Sequence, residues 1–334
     1  MILLISQNEG EISTDLVYDW IRHSGKKVRR VNGDDLLQES TLKIIPTGES
    51  ILLGDLHFDD ISIIWYRRWV QKGNINIYLE RQKGKYFSGY DIESVREYLR
   101  QEFKGLSHYF FYQLQKKEWL NKPPSLQEYP SKSIQIKEAK KIGFNVPETL
   151  ITNNKLELIN FIEKNGELIC KNLERVHLFN KAGKNVCTYT IMLNRTNVEE
   201  IQQLFFPTLF QKAIKKIFEV RIFYFLEEFY PMAIFSSNNP QTNVDFRRYD
   251  LKKPNRTIPI VISDELKLKI KALMRCFKLE TGSIDMIYGE DEKFYFLEIN
   301  PSGQFGMVSK PCNYHIEKKI ADYLIKKEEA YERV

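Results

Sequence analysis

Long apolar runs, paired cysteines and glycine-rich phosphate loops are missing from this sequence of 334 residues. No apolar run approaches the roughly 18 residues that a membrane-spanning helix needs, so we expect no membrane span. Only four cysteines occur, and because none forms a CxxC pair we expect neither a zinc knuckle nor a redox dithiol. The motifs GxxxxGK[ST] and GxGxxG do not occur either, which argues against Walker and dinucleotide-binding sites.

The sequence also has no GxSxG elbow, no HExxH pair and no basic leader ahead of its first apolar run. We therefore expect no serine-hydrolase or zinc-protease chemistry, and a cytoplasmic location. Lysine and arginine outnumber aspartate and glutamate by 50 to 44, which gives a net charge of +6. This excess favours an anionic partner such as an acidic peptide or a nucleotide, and it is too small to indicate nucleic acid.

Residues 1–120 have the alternating pattern of a small α/β domain. A β-branched run at 2–6 predicts a strand, and Ser13 is placed to cap the helix that follows. Further strands are expected at 27–31, 51–53 and 61–65. Apolar residues recur with helical spacing from 91 to 119, which predicts one long helix that closes the domain.

Residues 121–130 contain three prolines and no amphipathic period, so we expect a linker there. The chain after it predicts an α+β region in two parts, 131–205 and 206–334. Strands are expected in the second part at 208–211, 220–224, 231–235, 283–288 and 294–299, with a helix at 265–277.

Three oxygen-bearing side chains lie on the last two predicted strands. Glu298 and Asn300 are two residues apart, so they share a face of their strand, and Asp285 can face them from the neighbouring strand. Two carboxylates and an amide oxygen suit Mg²⁺, which takes its remaining ligands from water and substrate phosphates. The alternative interpretation is a solvated strand face that ends at a proline turn.

A second set of charged residues points to phosphate. Lys132 begins a predicted helix and Lys171 ends a predicted strand, and together they could neutralise phosphate oxygens. Glu219 and Arg221 share one strand face, where a carboxylate can accept bonds from ribose hydroxyls and a guanidinium can grip a phosphate. A cross-strand ion pair of little energetic value explains them equally well.

The order of these residues resembles the ATP-grasp ligase superfamily from about residue 131 to the end of the chain. Trp65-Tyr-Arg-Arg68 in the N-terminal region, with residues 303–307 and 311–314, further resembles the peptide maturases of microviridin and grasp-with-spasm systems. The resemblance implies an α/β pre-ATP-grasp domain followed by an α+β ATP-grasp fold of two subdomains.

The resemblance also implies a reaction. Such enzymes use ATP and Mg²⁺ to phosphorylate Asp or Glu side chains of a ribosomal precursor peptide. A Ser or Thr hydroxyl then attacks and forms a macrocyclic ester, or a Lys amine attacks and forms an amide. The expected partner is a precursor peptide with a leader segment; nucleic acid and membrane are not expected, and a homodimer is left open.

Site roles follow from the same resemblance. Lys132 and Lys171 would contact phosphates, and Glu219 would hold the ribose. The adenine would be read at Gln211, Lys212 and Ile214. Asp285, Glu298 and Asn300 would bind Mg²⁺, while Arg221 and Arg247 would stabilise the transferred phosphoryl group, with Arg248 as the alternative to Arg247. Arg67 and Arg68 would contact peptide, although a strand end with its aromatics in the core explains that motif equally well.

Two other functions stay open at the level of sequence. A ligase with the same nucleotide site could add amino acids to a protein terminus or join small metabolites. A protein that kept the scaffold but lost catalysis could only bind peptide.

Overall fold

The structure is a computed structural model that describes residues 1–8, 10–33, 35–38, 42–47, 51–53, 56–69, 89–127, 129–174, 178–181, 184–188, 190–237, 239–248 and 250–331. The chain divides into two compact units. The first unit comprises residues 1–128, 304–309 and 315–334, and the second comprises 129–303 and 310–314. The end of the chain thus belongs to the first unit, although the sequence analysis grouped it with residues 206–334.

The strands are, in chain order, β1 (Ile2–Ser6), β2 (Val28–Asn32), β3 (Leu42–Ile44), β4 (Ile51–Leu53), β5 (Leu56–His57), β6 (Ile63–Tyr66), β7 (Glu118–Leu120), β8 (Thr149–Asn154), β9 (Leu168–Lys171), β10 (Leu178–Lys181), β11 (Lys184–Cys187), β12 (Ile191–Leu193), β13 (Leu204–Lys212), β14 (Lys216–Phe225), β15 (Glu228–Phe235), β16 (Arg256–Pro259), β17 (Thr281–Gly289) and β18 (Phe294–Asn300). The helices are α1 (Ile12–His23), α2 (Asp35–Gln38), α3 (Ile92–Leu114), α4 (Lys132–Ile142), α5 (Lys155–Asn165), α6 (Arg195–Glu200), α7 (Asp264–Cys276), α8 (Gly306–Cys312) and α9 (Ile316–Tyr331). A 3₁₀ turn covers Phe58–Asp60. Within the described residues, no helix is long and apolar enough to cross a membrane.

A parallel sheet in the order β2, β1, β6, β7 is the centre of the first unit. Every residue of β1 and β6 is buried, as expected for a parallel sheet that is covered on both faces. Helix α9 packs against α1 and β1, and α3 contributes Phe110 and Leu114 to the core. The strands β3, β4 and β5 form a separate small sheet.

The start of α1 differs from its prediction. Its N-cap is Glu11, and no side chain caps the helix. Ser13 lies inside the first turn, and its hydroxyl donates a hydrogen bond to Gln304. The predicted capping role of Ser13 is therefore wrong, because a partner distant in sequence takes the hydroxyl.

The end of α3 also differs. The helix begins as predicted, with the Asp91 side chain accepting from the Ser94 backbone N–H at 2.8 Å. It ends at Leu114, and Trp119 lies in β7, paired with Ile64 of β6. The predicted helical segment at 115–119 is wrong, because residues 115–117 form a turn and a bend and residues 118–119 belong to β7 of the parallel sheet.

The second unit contains two larger antiparallel sheets. The first has the order β12, β9, β13, β8, and α5 and α6 pack against it around Leu158, Leu168 and Phe210. The second has the order β16, β15, β14, β17, β18, with α4 and α7 packed over its core. A separate hairpin is formed by β10 and β11. The strands predicted for residues 208–299 are thus confirmed, and so is the helix that became α7.

Candidate active site

Three neighbouring strands of the second sheet carry a row of charged side chains. Arg221 on β14 is the register partner of Asp285 on β17, and Asp285 is the partner of Glu298 on β18. Directly paired residues on antiparallel strands project from the same face. The sheet therefore brings together one guanidinium and two carboxylates that are separated by up to 77 residues.

Asp285 is the least satisfied member of this row. Its Oδ1 is buried, accepts no hydrogen bond from the described residues, and lies 3.5 Å from Arg221 Nη1. Burial raises the pKa of Asp285 to about 6, an effect that Arg221 opposes and Glu298 reinforces. A buried carboxylate oxygen without a donor is the kind of group that a bound cation completes.

Asn300 ends the strand that carries Glu298 and is exposed. It pairs with Ser283, two residues from Asp285, so it shares the face of the two carboxylates. Its Oδ1 accepts from the Ser302 backbone N–H at 3.1 Å. The turn needs glycine at Gly303, since a Cβ there would lie 2.5 Å from the Ser283 Cβ.

The donor set fits Mg²⁺. Two carboxylates and an amide oxygen on one sheet face are hard ligands, and in the part of the chain that the structure describes Asp285 Oδ1 has no hydrogen bond that a cation would break. Among the described residues, no group of three or more His, Cys, Asp or Glu side chains is gathered for a metal. The proposed magnesium ligands are instead two carboxylates and one amide.

The two predicted phosphate lysines lie beside these carboxylates. Lys132 Nζ is 3.3 Å from Glu298 Oε2 and donates to the backbone oxygens of Asn172 and Glu174 at 3.1 and 2.6 Å. Burial lowers the pKa of Lys171, and the nearby Lys132 and Arg247 lower it further, against the opposing effect of Glu298 and Glu219. An anion would stabilise the Lys171 ammonium group, which lies among other cations, and a phosphate group is such an anion.

Arg247 lies on the loop after β15. Its Nε and Nη2 donate to Asp245 Oδ1 and Oδ2 at 2.8 and 2.7 Å, which fixes the guanidinium plane. Burial acts to raise the pKa of Asp245, but the hydrogen bonds and the charge of Arg247, together with a hydrogen bond from Thr190, hold this pKa below its usual value. Arg247 lines the cavity described next, whereas Arg248 does not and instead reaches the Thr190 carbonyl oxygen at 3.5 Å.

Most of the predicted site residues line an open cavity between the two sheets. Its lining includes both phosphate lysines, the residues of the strand connection, Glu219, Arg247 and the two carboxylates; these are Lys132, Lys171, Gln211, Lys212, Ile214, Glu219, Arg247, Asp285 and Glu298. Arg221 and Asn300 are not among the lining residues. The structure therefore brings nine of the eleven predicted nucleotide, metal and catalytic residues to one cavity.

Within the described residues, the backbone donors of the connection from β13 to β14 are only partly used. The N–H of Lys212 donates to Glu148 O and that of Ala213 to Glu167 O, each at 2.9 Å. The Gln211 side chain donates to Thr149 Oγ1 at 3.1 Å. In the described part of the chain, the Ile214 N–H donates no hydrogen bond, so it is left to recognise an acceptor such as a purine ring nitrogen.

Two neighbours of Glu219 were missed by the sequence analysis. Glu219 Oε1 accepts from Ser236 Oγ at 2.7 Å and pairs with Lys216. Lys216 is three residues from Glu219 on β14, a spacing that does not place two side chains on one strand face. Ser236 follows β15 and is 17 residues away, so only the folded sheet shows the contact.

Arg67 and Arg68 lie in the first unit and contact Glu11. Arg67 is 1% exposed, donates twice to Glu11 Oε1 at 3.2 and 3.0 Å, and stacks over Trp65 and Phe305. Arg68 donates to Glu11 Oε2 at 2.6 Å and keeps 34% of its side chain exposed. A peptide contact stays a prediction for both, and Arg68 has the larger exposed surface for it.

Comparison with known proteins places this geometry in a family. The model of the RimK-like ATP-grasp domain matches residues 130–324. No curated protein sequence is significantly similar to the chain. The chain is 27% identical to a Chryseobacterium gregarium RiPP-associated ATP-grasp ligase solved with ADP and a leader and core peptide, with a TM-score of 0.77 over 98% of this chain and 96% of that one.

Two macrocyclases from Microcystis aeruginosa MRC share the fold. MdnC, solved with the precursor peptide MdnA, is 24% identical, with a TM-score of 0.80 over 97% of this chain and 99% of that one. MdnB is 21% identical, with a TM-score of 0.73 over 97% and 98%. The predicted fold class is confirmed, and the chain belongs to the RimK-like ATP-grasp family.

Proposed function

We propose that this protein is an ATP- and Mg²⁺-dependent ligase that activates Asp or Glu side chains of a ribosomal precursor peptide. It joins them to Thr or Ser hydroxyls, or to Lys amines, and so forms macrocyclic ester or amide crosslinks. The observation that carries the proposal is the row Arg221, Asp285 and Glu298, whose two carboxylates line one cavity together with Lys171. The similarity to a RiPP-associated ligase that binds a leader and core peptide supports this substrate class.

Each residue has a physical task in this reaction. A carboxylate is a poor electrophile, and transfer of the terminal phosphoryl group of ATP to its oxygen creates a good leaving group. The hydroxyl or amine of the acceptor then attacks the carbonyl carbon, loses its proton, and phosphate leaves. Lys132 and Lys171 would hold the phosphates, while Arg221 and Arg247 would stabilise charge on the transferred group.

The metal site contributes through its ligands. Asp285, Glu298 and Asn300 would hold Mg²⁺, which would neutralise charge on the phosphates. Glu219 would accept hydrogen bonds from the ribose, and the Ile214 N–H would donate to the adenine. Because the reaction uses ATP and a ribosomal product, we place it in the cytoplasm.

The test is incubation of the purified chain with ATP, Mg²⁺ and an acidic precursor peptide rich in Thr or Ser. We expect the peptide mass to fall by one water per crosslink, with one ADP released per bond. A gain in mass would instead indicate amino-acid addition. No ADP release with a bound precursor would indicate a protein that only binds peptide.

Glu298→Gln should preserve the fold and lower ADP release by at least about 100-fold, because it removes a carboxylate charge from the metal site. Glu290→Gln is the matched control, since Glu290 is exposed on the turn between β17 and β18 and does not line the cavity. Glu298→Gln activity equal to that of the control would contradict the proposed metal site.

A further inference from the structure

The two carboxylate oxygens of Glu219 have different surroundings. Oε1 accepts from Ser236 Oγ at 2.7 Å and forms an ion pair with Lys216 Nζ. In the described residues, no hydrogen bond reaches Oε2. Glu219 and Lys216 line the cavity, whereas Ser236 is not among the lining residues. One oxygen is thus fixed by the protein, and the other is left to accept a hydrogen bond from a ligand.

The fold holds Ser236 in place. Glu219 on β14 is the register partner of Ile234 on β15, and the Ser236 N–H donates to the Ile234 O at 3.2 Å, which turns the chain as β15 ends. The Ser236 O in turn accepts from Thr242 Oγ1 at 3.2 Å. Ser236 is fully buried, so its hydroxyl has little freedom to choose another partner.

The Ser236 hydrogen bond controls orientation more than charge. Lys216 already neutralises the Glu219 carboxylate, which limits repulsion between this carboxylate and a nearby phosphate. The lysine chain has four rotatable bonds and fixes direction poorly, whereas the buried hydroxyl acts from a rigid backbone. Removal of the hydroxyl would therefore leave the charge pair and loosen the direction of Oε2.

We propose that Ser236 is a positioning residue that aims Glu219 Oε2 at a ribose hydroxyl and so favours ATP over deoxyribonucleotides. This inference rests on the proposed function, in which Glu219 holds the ribose of ATP. Ser236 acts through Glu219 and does not itself contact the nucleotide. Its effect should consequently appear only for a nucleotide that has the hydroxyl to which Glu219 binds.

The experiment compares ATP with 2′-deoxy-ATP and 3′-deoxy-ATP by calorimetry in the presence of Mg²⁺. We expect the wild-type protein to bind ATP more tightly than at least one deoxy analogue. Ser236→Ala should weaken the binding of ATP about tenfold, because the hydrogen bond that is lost is to the charged Glu219 carboxylate. It should weaken the binding of that analogue less than about threefold. The ratio of the two dissociation constants should therefore fall.

Turnover separates positioning from general damage. The ribose contact is the same in the ground state and the transition state, so Ser236→Ala should raise KM for ATP and leave kcat within about twofold. Ser237→Ala is the matched control, because the Ser237 hydroxyl donates to the backbone oxygens of Lys216 and Ile217 at 3.0 and 3.3 Å and not to Glu219. This control should keep the wild-type ratio.

Three results would overturn the inference. The wild-type protein could bind ATP and both analogues equally, or Ser236→Ala could weaken all three nucleotides by the same factor. In a third result, Ser236→Ala would lower kcat with KM unchanged. Failure of the wild-type protein to bind ATP at all is a separate outcome, and it would overturn the proposed function itself.

Discussion

Two buried arginines, one in each unit, differ in how well the protein satisfies them. Arg67 in the first unit makes two hydrogen bonds to Glu11 and stacks over two aromatic rings. Arg221 in the second unit is 7% exposed, lies 3.5 Å from one oxygen of Asp285, and has a buried Nε that finds no hydrogen-bond partner among the described residues. The two arginine side chains are buried to a similar extent, but they differ in their hydrogen bonding.

The difference separates a structural ion pair from a ligand site. A buried guanidinium that the protein itself completes contributes to the fold, and removing it leaves its partner uncompensated. A buried guanidinium with an unused donor beside a carboxylate of raised pKa is poised for a group from outside the chain. We therefore expect Arg67 to stabilise the first unit, and we propose that Arg221 takes part in the reaction.

The largest effect is expected for Arg67→Met. Among the described residues, loss of the guanidinium leaves the buried Glu11 side chain with Arg68 and Gln304 as partners, which should lower the free energy of unfolding by about 3 kcal/mol. Urea unfolding checks this value. Arg68→Met is the control and should cost about 1 kcal/mol or less, because its side chain is one-third exposed.

Peptide affinity decides between the two interpretations of Arg67. We expect it to be unchanged once the Arg67→Met protein is kept folded at low temperature. If stability is unaffected and peptide affinity falls, Arg67 contacts peptide as the sequence predicted, and the contrast with Arg221 disappears.

Arg221→Met should show the opposite pattern. We expect peptide-dependent ADP release to fall about 100-fold, because a preorganised donor for the transferred phosphoryl group is lost. The free energy of unfolding should change by about 1 kcal/mol at most, since Asp285 already has a pKa near 6 from burial and can take up a proton.

Arg256→Met is the matched control for Arg221. Arg256 lies on β16 of the same sheet, is exposed, and stacks over Phe235. Its replacement should leave ADP release unchanged. The Arg221→Met protein could instead be strongly destabilised and keep normal turnover per folded molecule. Arg221 would then be a structural residue like Arg67.

Local patterns in the sequence were sufficient to predict that Asp285, Glu298 and Asn300 share one face of the sheet. The two-residue spacing of Glu298 and Asn300 fixes their common face, and the hairpin of β17 and β18 brings Asp285 opposite Glu298. Both are properties of one short segment of chain. They could be inferred without any knowledge of how distant strands pack.

Features that depend on distant partners could not be predicted in this way. Residues 115–119 were predicted to continue α3, but pairing with β6 places Trp119 in a strand. Ser236 has no sequence signal that links it to Glu219, because the contact exists only after β14 and β15 pair. The network of Glu11, Arg67 and Gln304 likewise joins residues that are up to 293 positions apart.

Arg247 is intermediate between Arg67 and Arg221 in how well the protein satisfies its guanidinium, and we expect the smallest effect for its pair with Asp245. Asp245 is buried and satisfies one edge of the Arg247 guanidinium, which keeps 38% of its side chain exposed. Because Arg247 lowers the pKa of Asp245 below 3.8, this pair should stabilise the fold by about 1 kcal/mol above that pH. The contribution should be lost as the pH falls through the folded-state pKa.

The measurement is the difference in unfolding free energy between wild type and Asp245→Asn from pH 5 downward. We expect the difference to shrink below pH 3.8, where the unfolded Asp245 takes up its proton first. In an Arg247→Met background this pH dependence should weaken or reverse, because the Arg247 contributions that lower the pKa of Asp245 are gone and burial acts to raise it. The same pH dependence in both backgrounds would show that Arg247 does not hold Asp245 in its charged form. The proposed role of Arg247 at the transferred phosphoryl group would then lose the support of a guanidinium fixed by Asp245.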